Sequence, residues 1–192
     1  SLLSGITALQ LDADTADDGY SITSMNATQA AAVTLRGTQV VTPIFGVTGA
    51  STVGQLDTLS ITVDDGLVAK NTITVANLTA AGVETVNIAA TDNFTATLLS
   101  GLGAVTTLNV SGAGNVSLTT GGLPANVNTV VNASTVTGTV TVDATGATAN
   151  GLSITGTTST AVNTLTGSAR ADVLTGGAGA DSLIGLAGND AI

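Results

Sequence analysis

Cysteine, histidine and tryptophan are absent from this 192-residue chain, and aromatic side chains amount to one tyrosine and two phenylalanines. Without cysteine there is no disulfide framework and no thiolate metal site. Without histidine or cysteine, neither a serine triad nor a cysteine nucleophile can be assembled in the usual way. Charge is also scarce: Asp, Glu, Lys and Arg make up 8% of the residues, against about 25% in ordinary domains. Long apolar runs are missing, because Thr, Ser, Asn and Gly interrupt every hydrophobic stretch, and a membrane span is not expected.

The few charges lean one way. Thirteen acids face three bases, a net charge of −10. Phosphate binding needs clustered cations, so nucleic acid is not an expected partner. Divalent cations would neutralise such a chain; simple solubility is the other reading of an acidic surface.

What is abundant is Val, Ala, Leu and Ile alternating with Thr, Ser and Asn. Apolar residues reach 43%, which argues against disorder, and Thr and Val favour pleated, half-buried surfaces. The fold class expected is therefore all-β. Alternation predicts strands over Thr58–Val63, Asn71–Val75, Glu84–Ile88, Thr95–Leu98, Thr106–Val110, Asn115–Leu118, Asn128–Val131, Gly138–Val142 and Leu152–Thr155. Turns carry Gly, Asn and Asp, as at Asp64-Asp65-Gly66 and Gly121-Gly122. Strand starts recur at roughly eleven residues, and Glu84–Ile88, Thr106–Val110 and Asn128–Asn132 superpose at steps of about twenty-two, the length of one coil of a parallel β-solenoid or β-helix. A β-sandwich accommodates the same strand spacing. The near-absence of aromatics and of a proline-rich linker (the prolines are Pro43 and Pro124) favours the solenoid.

Residues 1–32 are the least regular, with a strand signal at Leu9–Asp12 and a short helix signal from Asn26, a good N-cap, towards Val33. Between them Asp12, Asp14, Asp17 and Asp18 form an acidic turn, either a solvated turn or a second candidate ligand loop for a cation. It lacks the closing Glu of an EF-hand. The divisions expected are 1–32, a strand-rich body over 33–157, and a distinct segment over 158–192.

That last segment has strict spacing. In nines it reads Gly167-Ser-Ala-Arg-Ala-Asp172-Val-Leu174-Thr, Gly176-Gly177-Ala178-Gly179-Ala180-Asp181-Ser-Leu183-Ile, and Gly185-Leu-Ala187-Gly188-Asn189-Asp190-Ala-Ile192. Glycine opens each unit, aspartate is sixth and an aliphatic residue eighth. Six residues of glycine-rich turn let the backbone curl so that carbonyl oxygens point inward, and the eighth residue faces the interior. Ordinary β-turns or a flexible tail are the plainer reading of such repeats, but three units in phase at nine residues argue against it.

The middle unit matches G-G-x-G-x-D-x-U-x throughout, and the segment resembles the RTX family of calcium-binding β-rolls. Calcium takes six to eight hard oxygen ligands at about 2.3–2.6 Å, more than one turn supplies, so the resemblance implies ions held between stacked turns. With two nonapeptides per coil, stacked turns lie eighteen residues apart. Asp172 then pairs with Asp190, and Asp181 with Asn163-Thr164-Leu165, which is in register with Asp-x-Leu. The ligand set implied is Asp172, Gly176, Gly177, Ala178, Gly179, Ala180, Asp181, Gly185, Ala187, Gly188, Asn189 and Asp190, for one or two ions. The unit before Gly167 has no glycine and looks like a degenerate lead-in. Opening at Ser1 and closing inside a repeat, the chain is expected to be an excised piece.

Catalysis is not expected. A carboxylate pair, Asp64 with Asp65 or Asp92 across from Asp143, is the remaining arrangement, and the aromatics are too few and scattered for a sugar platform. The Thr/Ala/Val/Gly/Asn-rich, acidic body is similar to bacterial surface-layer (S-layer) proteins that carry RTX repeats. That resemblance implies a secreted structural module, exported by a type I system, that folds with calcium and self-associates into a surface lattice or binds surface polysaccharide. A repeat region of a large RTX adhesin, and the non-catalytic RTX portion of a secreted enzyme or toxin, are the alternatives.

Overall fold

The computed structural model describes residues 7–12, 21–37, 43–47, 56–99, 101–119, 129–147 and 151–192. Its strands are all parallel and alternate between two sheets. The larger sheet holds β1 (Leu9–Leu11), β3 (Val33–Leu35), β5 (Thr58–Val63), β7 (Thr85–Ala90), β9 (Thr107–Gly112), β11 (Thr129–Val136), β13 (Leu152–Thr155) and β15 (Val173–Thr175), in that order. The second holds β6 (Thr72–Val75), β8 (Asn93–Ala96), β10 (Val116–Thr119), β12 (Val140–Asp143), β14 (Asn163–Thr166) and β16 (Ser182–Ile184). Successive strands of one sheet are consecutive odd or even elements. This is a parallel β-solenoid, one strand on each face per coil, and not a sandwich. A small parallel pair, β2 (Ser21–Met25) with β4 (Ile44–Val47), completes the described sheets.

Alternation puts one side of every strand inside, and register stacks those residues into columns. Leu59, Val86, Leu108, Val131, Ile154 and Leu174 pair in turn across six strands of the larger sheet, all buried. Val75, Ala96, Leu118, Val142, Leu165 and Leu183 pair likewise across the second, buried except for Leu183, which is partly buried. A second inner column there runs Ile73, Phe94, Val116, Val140. Burying each Leu, Ile, Val or Phe contributes roughly 1.5–3 kcal/mol, so the body is held by aliphatic stacking.

The twenty-two-residue step holds from β7 to β9, where Val86 pairs with Leu108. It fails by one at the next coil: Leu108 pairs with Val131, not Val130. A one-residue slip exchanges the two faces of a strand, and here Val131 is buried while Val130 is exposed. The same shift puts Asn132 in line with Asn109, whose amide donates to Asn87 Oδ1 at 2.9 Å. A polar ladder on the outside and an aliphatic column on the inside therefore select the same register.

The helix is shorter than its signal. α1 (Ala27–Ala30) is capped by Asn26, whose side chain accepts from Gln29 N while Gln29 Oε1 accepts from Asn26 N, but Val33 is drawn into β3. Both sheets run without a break through residue 158, and coil length changes on the way. Pairs in the body are 21 to 28 residues apart, as in Thr72–Asn93 and Val33–Ile61. Ser153 to Val173 is 20, and Thr164 to Ser182 is 18.

Candidate metal centre

The shortening has a local cause. In the second sheet the inner column Ile73–Phe94–Val116–Val140 is continued by Asn163, and one coil later by Asp181, the residue before Ser182. In the larger sheet Leu152 is followed by Asp172, which stacks under Asp190. Apolar positions give way to amide and carboxylate, and the coil contracts around them.

Each sixth-position carboxylate makes the same cross-coil bond. Its Oδ1 accepts the backbone N–H one coil earlier: Leu152 N to Asp172 at 2.7 Å, Asn163 N to Asp181 at 2.8 Å, and Asp172 N to Asp190 at 2.9 Å. In each unit the opening glycine makes room for the carboxylate, since a Cβ on Gly167, Gly176 or Gly185 would strike Oδ2 of Asp172, Asp181 or Asp190 respectively. The inner glycines are required by neighbouring coils. Cβ atoms on Gly177, Gly179 and Gly188 would collide with the carbonyls of Thr157, Ala161 and Arg170. Gly177 (φ +121°) and Gly188 (φ +137°) also sit in a region that L side chains avoid, and Leu186 at φ 72° takes the position in the third unit that Gly177 has in the second. Carbonyl oxygens of one turn thus press directly on the backbone of the next.

The three carboxylates differ in what is left over. Asp172 is 1% exposed, and its Oδ2 accepts from Ser168 N at 2.6 Å while Ser168 Oγ lies 3.1 Å from both oxygens. Asp181 and Asp190 are half-buried, and among the described residues no donor reaches their Oδ2. Stacked turns with carbonyls between them and an unclaimed carboxylate oxygen fit a hard, oxygen-seeking cation such as calcium. Ala178, Ala180, Ala187 and Asn189 are exposed on the outer side of the turns, and any contribution from them would come through backbone oxygen.

Residues 157–192 match the family model of the RTX calcium-binding nonapeptide repeat, in four copies. The match takes in the glycine-free unit around Asn163. No curated protein matches the chain, and no solved structure does. The C-terminal coils are therefore a run of RTX calcium-binding repeats carried on a β-solenoid.

At the other end, Asp14, Asp17 and Asp18 lie outside the described residues. Asp12 accepts from Gln10 Nε2 at 2.8 Å and pairs with Arg36 at 3.7 Å, both partners partly exposed. The sequence did not reveal a different grouping: Asp64, Asp65 and Asp92 bring carboxylate oxygens within 4.8 Å of one another. Asp65 and Asp92 are twenty-seven residues apart, the offset at which β5 pairs β7. Asp143 stands elsewhere, at the far end of β12.

Burial is the main reason the Asp92 carboxyl titrates above the usual range, with the Asp65 and Asp64 charges adding to it. The Asn71 amide, then the Leu67 N–H, hold Asp65 below it. A raised folded-state value means that Asp92 contributes stability at acid pH and loses it as pH rises through that value. Asp92→Asn can still accept the bond from Asp65 N, 2.6 Å in this structure. The variant is expected to raise the thermal midpoint at pH 7 and to change it little below the ordinary carboxylate range, where Asp92 is protonated in any case. A midpoint lowered at pH 7 would contradict this account.

Proposed function

We propose that the chain is a structural segment of a secreted bacterial surface-layer protein, whose final coils are organised by calcium and which self-associates outside the cell. One observation carries the reading. Neighbouring turns place Asp181 and Asp190 with one oxygen fixed to the preceding coil and the other unclaimed, in a chain with thirteen acids and three bases. Asp181 and Asp190, with carbonyl oxygens of the turns at 167–172, 176–181 and 185–190, would hold the ions. Calcium supplies charge neutralisation and a cross-link between coils that contribute few inward aliphatic residues. Secretion follows from the habit of RTX repeats, since extracellular calcium suits modules that bind at about 0.1–1 mM. A non-catalytic role belongs to the same reading, as does surface polysaccharide as a second partner.

Circular dichroism of the chain titrated with Ca²⁺, with Mg²⁺ as control, tests the metal part. Strand signal should rise with calcium alone and fall again with chelator. Light scattering on the intact protein tests the lattice part, with larger particles expected at millimolar calcium. A chain unchanged by calcium removes the first part, and an intact protein that stays monomeric removes the second.

A further inference from the structure

We infer that Asn163 stands in for a calcium ion between the turns at 157–163 and 176–181, and that with Ser168 and Asp172 it forms a metal-free junction from which the calcium-dependent coils grow. This rests on reading residues 176–192 as calcium-binding. Asn163 is fully buried. Its Nδ2 donates to Gly176 O at 2.8 Å and to Asp181 Oδ1 at 2.7 Å, and lies 3.4 Å from Thr157 O. One positive amide end thus faces two backbone carbonyls and a carboxylate drawn from both stacked turns, the kind of oxygen set a hard cation gathers. The other end of the amide is engaged too, Oδ1 accepting from Thr157 N at 2.8 Å.

An aspartate could not do this. It would bring a second carboxylate to Asp181 with no donor between them, and burying like charges without a counter-ion is costly. Gly156 keeps the place of the opening glycine, since a Cβ on it would strike Asn163 Oδ1, but it lies seven residues before Asn163 where Gly176 lies five before Asp181. The wider turn is closed by hydroxyls: Thr157 Oγ1 bonds the carbonyl of Val136 and lies 3.0 Å from Ser159 Oγ. On the opposite side Ser168 fills the second position of its unit, where Gly177 stands in the next, and its amide and hydroxyl both engage the Asp172 carboxylate. The coil at 151–172 is therefore closed by side chains, and it presents β13 and β14 as a finished template to β15 and β16.

Hydrogen exchange read residue by residue on the full chain, with calcium and with chelator, tests this. Amides of 152–155 and 163–166 should be protected in both conditions, while those of 182–191 gain protection only with calcium. Asn163→Asp should lower the protection of 163–166 at least about tenfold in chelator, regain it with calcium, and bind one more ion per chain by native mass spectrometry. The inference is overturned if calcium protects 163–166 and 182–191 of the natural chain with the same midpoint, or if Asn163→Asp binds no additional ion. Should the variant fail to fold, the exchange profile of the natural chain decides alone. A natural chain that binds no calcium at any residue defeats the underlying calcium reading, a different result from the first two.

Discussion

Valine at Gly177 is expected to unfold the final coils while leaving the body of the solenoid intact. At φ +121° a β-branched residue is placed where L side chains do not settle, a conformational cost of about 1–3 kcal/mol. Its Cβ would also collide with the carbonyl of Thr157 one coil below, and forcing two packed layers apart adds about 1–3 kcal/mol. The coils it must hold have little to offset this, because Leu174 and Leu183 are the inward aliphatics of 173–184, and Leu183 is only partly buried. Stability in a stacked array is a sum of nearest-neighbour terms, so the loss stays local. Limited proteolysis should show cleavage after residue 176 in the variant, with strand content below it retained. Ala178→Val, one residue along on the exposed side of the same turn, serves as control and should stay within about 0.5 kcal/mol of the natural chain. Equal behaviour of the two variants would refute the close-approach account of the glycine spacing.

The glycine spacing is also the part of the molecule that was most legible in the sequence. Nine-residue phasing announces stacked turns, and the eighteen-residue pairing of Leu165 with Leu183 and of Val173 with Ala191 follows from it. Strand alternation in the body was equally plain, because Thr and Val at every second position leave no helical face. What the sequence concealed depends on coil length. Coils of the body vary between 21 and 28 residues, so a carboxylate at 92 cannot be assigned to a neighbour at 65 without knowing that one coil is twenty-seven long. The slip at β11 has the same origin: Leu108 and Val131 are twenty-three residues apart, one more than the preceding step, and only the strand pairing reveals it. Ser168 and Asn163 were hidden for another reason. As departures from a glycine and an aspartate they look like decay of the repeat, whereas their hydrogen bonds show each performing a task that fits its own chemistry.

Replacing Phe94 by alanine is expected to have the largest effect in the body, about 3–5 kcal/mol. Phe94 and Phe45 are the bulkiest fully buried side chains among the described residues. Phe94 lies within the inner column from Ile73 to Val140, whose members are all apolar until Asn163 continues it. Removing the ring leaves a void whose floor and ceiling cannot close, since the strands above and below are fixed at about 4.7–4.9 Å by their hydrogen bonds. Phe94→Leu restores most of the volume and should cost far less. Urea unfolding followed by circular dichroism, in calcium and in chelator, separates the contributions. The alanine variant should lower the midpoint equally in both media, because its column ends at Asn163 and calcium acts beyond that residue. If calcium rescues the alanine variant, the metal-linked coils are stabilising the body at a distance, and the division of the solenoid into an aliphatic half and an ion-organised end is wrong.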